Sequence, residues 1–119
     1  MAEHHLLTTC KTVHLGGFSP SLTPVLHIQS GDRVHVETYT GFYVCDQAPP
    51  EFAPPELLNI VQNLPESQRV SVGPHLLTGP IWIDGAEPGD VLEVHVEAIA
   101  PRLPVGFNPC GSIPRRSAA

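Results

Sequence analysis

The chain has 119 residues, enough for one ordinary domain that buries roughly two-thirds of its unfolded surface in a single core. Hydrophobic content of 41% with 15% charged residues marks a globular protein rather than a disordered one, and fourteen prolines argue against long helices. The formal net charge of −6, with the one basic pair Arg115-Arg116 confined to the tail, excludes the clustered basic face that nucleic acid needs; no apolar run approaches a membrane span and no secretory signal opens the chain, so a soluble, cytoplasmic protein is expected.

In chain order, residues 9–15 (TCKTVHL) alternate loosely and read as a first strand that places Cys10, Thr12 and His14 on one face. A second strand is expected over 25–28, followed by the turn Ser30-Gly31-Asp32. From 33 to 39 (RVHVETY) the alternation is clean, with Val34, Val36 and Thr38 opposite Arg33, His35, Glu37 and Tyr39. Residues 40–55 hold four prolines and form an irregular connection. Glu56 to Asn63 is the one helix candidate, because Pro54-Pro55 suits its start and Leu57, Ile60, Val61 and Leu64 recur at helical spacing.

The span HLLTGPIWIDGAEPGD, residues 75–90, concentrates more chemistry than any other. Thr78-Gly79-Pro80 is a turn signal, since glycine tolerates positive φ and proline fixes its own. Residues 81–84 then read as a strand, 84–90 as an acidic loop and 91–99 (VLEVHVEAI) as the returning strand of a hairpin, with His75 and Thr78 just ahead of it. The plainer reading of the same residues is a turn with ordinary hydrogen-bonding side chains. Gly31-Asp32 and Gly89-Asp90 share the pattern G-D-x-apolar-x-V, which suggests two hairpins closed by the same turn. Residues 104–119 lose all periodicity and read as an irregular tail on a single domain of residues 1–103. The fold class expected is mainly β, an antiparallel, jelly-roll-like β-sandwich with one short helix.

His14, His27 and His35, with Glu37, His75, Asp84, Glu87 and Asp90, exceed the number of groups a metal site needs, yet no H-x-H or H-E-x-x-H places two ligands on one element. Nucleophile elbows, phosphate loops and dinucleotide fingerprints are absent, and a copper sandwich lacks its methionine because the only one is Met1. Cys10, Cys45 and Cys110 form no C-x-x-C pair and read as reduced thiols.

Read together, the blocks TVHLGGFSPSLTPVLHIQSGDRVHVET, GPHLLTGPIWIDGAEPGDVLEVHV and IAPR resemble the N-terminal part of the acetamidase/formamidase family over about residues 12–103. His14-x-Gly16, Gly31-Asp32 with Glu37-Thr38, and above all Leu77-Thr78-Gly79-Pro80 running into Gly85-Ala86-Glu87-Pro88-Gly89-Asp90 carry it. The resemblance implies a hydrolase of carbon–nitrogen bonds in small linear amides, oligomeric, associated with a divalent metal such as zinc. It places Glu37 as ligand or base, His75 as a group orienting substrate or metal, Thr78 near the oxyanion, and Gly79 and Pro80 at the substrate. The family's second-half run resembling G-D-x-H followed by G-D-G-E does not occur here. The chain is therefore expected to act as a fragment or subunit, with a homo-oligomer or a second polypeptide supplying the missing half. The alternative is a non-catalytic β-sandwich that binds or assembles.

Overall fold

The structure is a computed structural model that describes residues 1–39 and 54–102. Their elements in order are β1 (Glu3–Leu6), β2 (Val13–Leu15), β3 (Leu26–Ile28), β4 (Arg33–Val36), the helix α1 (Pro55–Asn63), a 3-10 turn at Glu66–Gln68, β5 (Leu76–Thr78) and β6 (Ile81–Ile83). The expected loop over 40–55 falls mostly outside the described residues, as do Cys45, Cys110 and the tail at 104–119.

The core is built where α1 covers the β2–β5 ladder. Pro54 adopts φ −58° and ψ 153°, an extended entry, and Pro55 takes the first helical position, where its missing N–H costs nothing. Leu57 and Ile60 are fully buried and Leu64, just past the last turn, nearly so; they meet Val13, Leu15 and Leu76 from the ladder. Each such aliphatic side chain contributes about 1.5–3 kcal/mol of burial, which is what keeps a nine-residue helix formed at all.

Strand pairing differs from the sequence expectation in a specific way. β2 and β5 run antiparallel, with His14 opposite Leu77. β1 and β4 pair in parallel, as do β3 and β6, with His27 opposite Trp82. Strands and one short helix are present as expected, and no closed barrel forms among the described residues. Among the described residues, one of the three ladders is antiparallel. The first strand also shortens to Val13–Leu15, because residues 9–12 are a turn closed by Thr12 N–H to the Thr9 carbonyl at 3.1 Å. Cys10 and Thr12 therefore do not share a strand face with His14. Glu3–Leu6, EHHL, pairs as a strand although its composition gives no strand signal.

Neither Gly-Asp hairpin forms, but the turn behind the sequence echo is real. Asp32 N–H donates to the Gln29 carbonyl and Gln29 N–H to Asp32 Oδ2, both at 3.0 Å. Asp90 N–H donates to the Glu87 carbonyl at 3.0 Å and Glu87 N–H to Asp90 Oδ2 at 2.9 Å, the same pair of bonds. Gly31 and Gly89 sit at φ +90° and +99°, the third-position requirement of a type II turn. Type II turns splay the chains that flank them, whereas tight hairpins need the primed types whose twist matches the strands. The chain thus leaves each turn toward a new neighbour. β4 goes to β1, and residues 91–100 pair with no described residue.

Two predictions follow from this framework. Ile60→Ala, which empties the centre of the helix–ladder contact, is expected to lower unfolding free energy by about 2–5 kcal/mol in denaturant melts. Asp32 accepts from Gln29 N–H, from Ala2 N–H at 2.9 Å and from His4 Nε2 at 2.9 Å, and these bonds, in that order, hold its carboxyl well below the usual range. A carboxyl depressed in the native state stabilises above its ordinary value of about 3.9 and loses that contribution as pH falls toward its native value. Asp32→Asn is therefore expected to be less stable than wild type at pH 7, with the gap narrowing below about pH 4; a gap independent of pH would show that the charge does not anchor β1.

Candidate functional site

The site grows from the two faces of β2. Val13 and Leu15 point at α1, so the alternation of a strand turns His14 to the opposite side, toward β5 and the corner beyond it. His14 is only 5% exposed. Its Nδ1 lies 3.2 Å from the carbonyl oxygen of Gly79, which can only accept, so Nδ1 carries a proton and the neutral form of the ring has its lone pair at Nε2.

The corner itself is Thr78-Gly79-Pro80, with a cis Gly79–Pro80 peptide. Gly79 N–H donates to the Thr12 carbonyl at 2.8 Å, and Val25 N–H donates to the Pro80 carbonyl at 2.9 Å, so both sides of the corner are tied to other segments. The Thr78 hydroxyl donates to the backbone carbonyl of Glu37 at 2.8 Å. Beside this corner lies a cleft of about 320 Å³, bordered by His14, Thr78, Pro80, Leu77, Leu22 and Phe18 among others.

Gly16, the second anchor of His14-x-Gly16, has a structural reason of its own. It sits at φ +96°, and a Cβ there would lie 2.5 Å from the carbonyl oxygen of Ser71. Its N–H donates to the His75 carbonyl at 2.9 Å and its carbonyl accepts from the Ser71 hydroxyl at 2.7 Å. Only glycine fits so close to that neighbouring backbone.

Of the residues singled out from sequence, Thr78, Gly79 and Pro80 form the corner together, and Glu37 reaches it through its main chain. The Glu37 carboxylate goes elsewhere: Oε2 lies 3.1 Å from Arg102 Nη2 and accepts from Thr8 N–H at 3.4 Å. Arg102 also donates to the Thr8 hydroxyl at 3.2 Å and covers the Tyr39 ring at 3.8 Å. His75 is exposed; its carbonyl belongs to the Gly16 contact and its ring borders neither this cleft nor the larger one described below. Along an extended chain it stands about 10 Å from Thr78.

A metal held jointly by His75 and Glu37 does not suit these positions, since the Glu37 carboxylate already has a guanidinium partner and the His75 ring stands in solvent. Among the described residues no three His, Cys, Asp or Glu side chains group as ligands. His27 and Asp84 approach to 4.0 Å at the surface, and His5 and His35 stack across β1 and β4 at 5.4 Å.

A second, larger cleft of about 1910 Å³ separates β4 from residues 90–102. It is spanned by Arg33, which grips Glu97 with Nε at 2.6 Å and Nη2 at 3.1 Å, and by the Arg102–Glu37 pair. The Arg33 guanidinium holds the Glu97 carboxyl below its ordinary range.

The sequence marks His14 as one imidazole among several and as part of His14-x-Gly16, and Arg102 only as the end of the block IAPR, without a role in the site for either. The signal for His14 was present in Val13-His14-Leu15: two apolar neighbours committed to a core leave the polar residue between them facing the other way. No helix among the described residues is long and apolar enough to cross a membrane. Compared with family models, curated proteins and solved structures, the chain matches none.

Proposed function

We propose that the chain is part of a carbon–nitrogen hydrolase of the acetamidase/formamidase type, cytoplasmic and jelly-roll-like as a whole, that converts small linear amides to ammonia and a carboxylate. The cleft beside Pro80 is the substrate end of its site. One observation carries this reading: residues that bear the family resemblance, His14, Thr78 and Pro80, border one cleft, whose volume of about 320 Å³ stands at the small end of ligand sites. A cleft of that size suits an amide of a few heavy atoms better than a nucleotide or a peptide.

Amide hydrolysis adds the oxygen of water to the carbonyl carbon, breaks the carbon–nitrogen bond and moves a proton to the leaving nitrogen. The hydrogen of the Thr78 hydroxyl is already given to the Glu37 carbonyl, so in this reading Thr78 shapes and positions the wall and does not hold the oxyanion. Glu37 faces the larger cleft, where Arg102 keeps it anchored. The remaining groups of the reaction come from a partner, either a second copy or a polypeptide supplying the second half of the site.

A second reading, assembly without turnover, is favoured by a different observation. Residues 91–99 keep strand-like alternation in sequence, yet no described residue pairs with their backbone, and Val91, Val94 and Ile99 are 94%, 79% and 88% exposed. An apolar strand without a partner among the described residues is a template for another chain. Both readings therefore require association through this segment.

Two measurements test them. Formamide incubated with the purified chain, alone and with added zinc, is expected to yield ammonia faster than buffer does; no release in either condition would leave assembly as the sole activity of the isolated chain. Light scattering is expected to show a dimer or larger species that Val94→Lys, which places a charge in the pairing face, weakens at least about ten-fold. A wild-type chain that stays monomeric at high concentration overturns the pairing.

A further inference from the structure

His14 is more than nine-tenths buried, and its Nδ1 is spoken for by the Gly79 carbonyl, but Nε2 meets no protein partner among the described residues. That nitrogen is also not sealed, because none of the buried side-chain nitrogens and oxygens of the described residues lacks a partner. Nε2 therefore keeps some contact with the outside, and the cleft that His14 borders is the one beside Pro80. Around it the cleft is largely apolar, with Phe18, Leu22, Leu77 and Pro80. Ser19, also on its border, has its hydroxyl 2.7 Å from that of Ser21.

A fixed tautomer makes the chemistry of this opening one-sided. With Nδ1 as the donor, the neutral imidazole offers only an acceptor to the cleft. A ligand that enters must bring an N–H or O–H, and its remainder must tolerate an apolar wall. Anions are disfavoured by the lone pair; hydrocarbons would leave it unpaired and desolvated.

We propose that His14 Nε2 is the hydrogen-bond acceptor that seats a small neutral primary amide in this cleft, through the amide N–H. The identity of the ligand rests on the amide-hydrolase reading above; the acceptor role of His14 rests on the ring's own geometry. His14 is thereby the substrate-contacting residue in place of His75.

The test is NMR of the imidazole nitrogens of the full chain during titration with acetamide and, separately, with acetone, which has the same shape at the carbonyl but no N–H. Acetamide is expected to shift the His14 Nε2 resonance saturably, with Nδ1 remaining protonated, while acetone binds at least about ten-fold more weakly. Leu22→Trp, which fills the cleft from its rim and leaves the β2–β5 ladder untouched, is expected to abolish the shift; His14→Phe is expected to do the same if its amide spectrum remains folded. Equal affinity for acetone, an Nε2-protonated ring, or an acetamide response that persists in Leu22→Trp overturns the proposal. Saturable binding at His14 without ammonia release leaves the acceptor site standing and removes turnover by this chain on its own, so the two fail separately.

Discussion

The three-residue antiparallel ladder between β2 and β5 is the contact on which the rest of the molecule depends. It joins segments more than sixty positions apart in sequence, His14 to Leu77, and its two faces do unlike work. One face supplies Val13, Leu15 and Leu76 to the helix and is the core. The other face directs His14 to the corner at Gly79 and Pro80. Closing so long a loop is entropically costly, and three residue pairs of ladder are too few to offset it. Burial beneath Leu57 and Ile60 provides the missing stabilisation, so the site on one face is held in place by the core on the other.

How much of this was legible in the sequence depended on whether the signal was local. The helix was legible to within one residue of its start because its proline entry and its Leu57, Ile60, Val61 and Leu64 spacing are both contained in a dozen positions. Strands at 26–28 and 33–36 were legible for the same reason, although the second is shorter than its alternation suggested. Pairing partners were not. Alternation states that a strand has two unlike faces; it does not state which neighbour it adopts or in which direction. Glu3–Leu6 becomes a strand only because Asp32 takes the Ala2 amide and the His4 ring, fixing the start of β1 beside β4, and no property of EHHL announces it.

The Gly-Asp turns show how a correct local reading can lead to a wrong long-range one. Both are turns, closed by the same two bonds around a positive-φ glycine. Hairpin formation, however, depends on the hand of the turn as well as its presence. Pro88 fixes its φ near −65° and Gly89 follows with φ +99°, the type II combination, and chains leaving such a turn diverge. The same distinction separates the site residues that were legible from those that were not. Thr78-Gly79-Pro80 is a local punctuation mark and was found; the pairing of Glu37 with Arg102, across sixty-five positions, was not.

The two clefts differ in what holds their walls, and that difference sets their possible roles. The small one is framed by backbone hydrogen bonds on both sides of the Pro80 corner and by a buried ring, so its shape persists whether or not a ligand is present. The large one is bridged mainly by Arg33–Glu97 and Arg102–Glu37, whose side chains are between 29% and 56% exposed, and exposed pairs stabilise weakly and are screened by salt. Among the described residues, residues 91–100 are thus positioned by charge while their valines are exposed. A wall held so lightly does not define a selective pocket for a small molecule, but it is well suited to being covered by an incoming strand, whose backbone pairs the amides of 91–99 and whose side chains bury those valines. Ligand recognition therefore belongs to the rigid corner beside His14, and association to the loosely tethered strand.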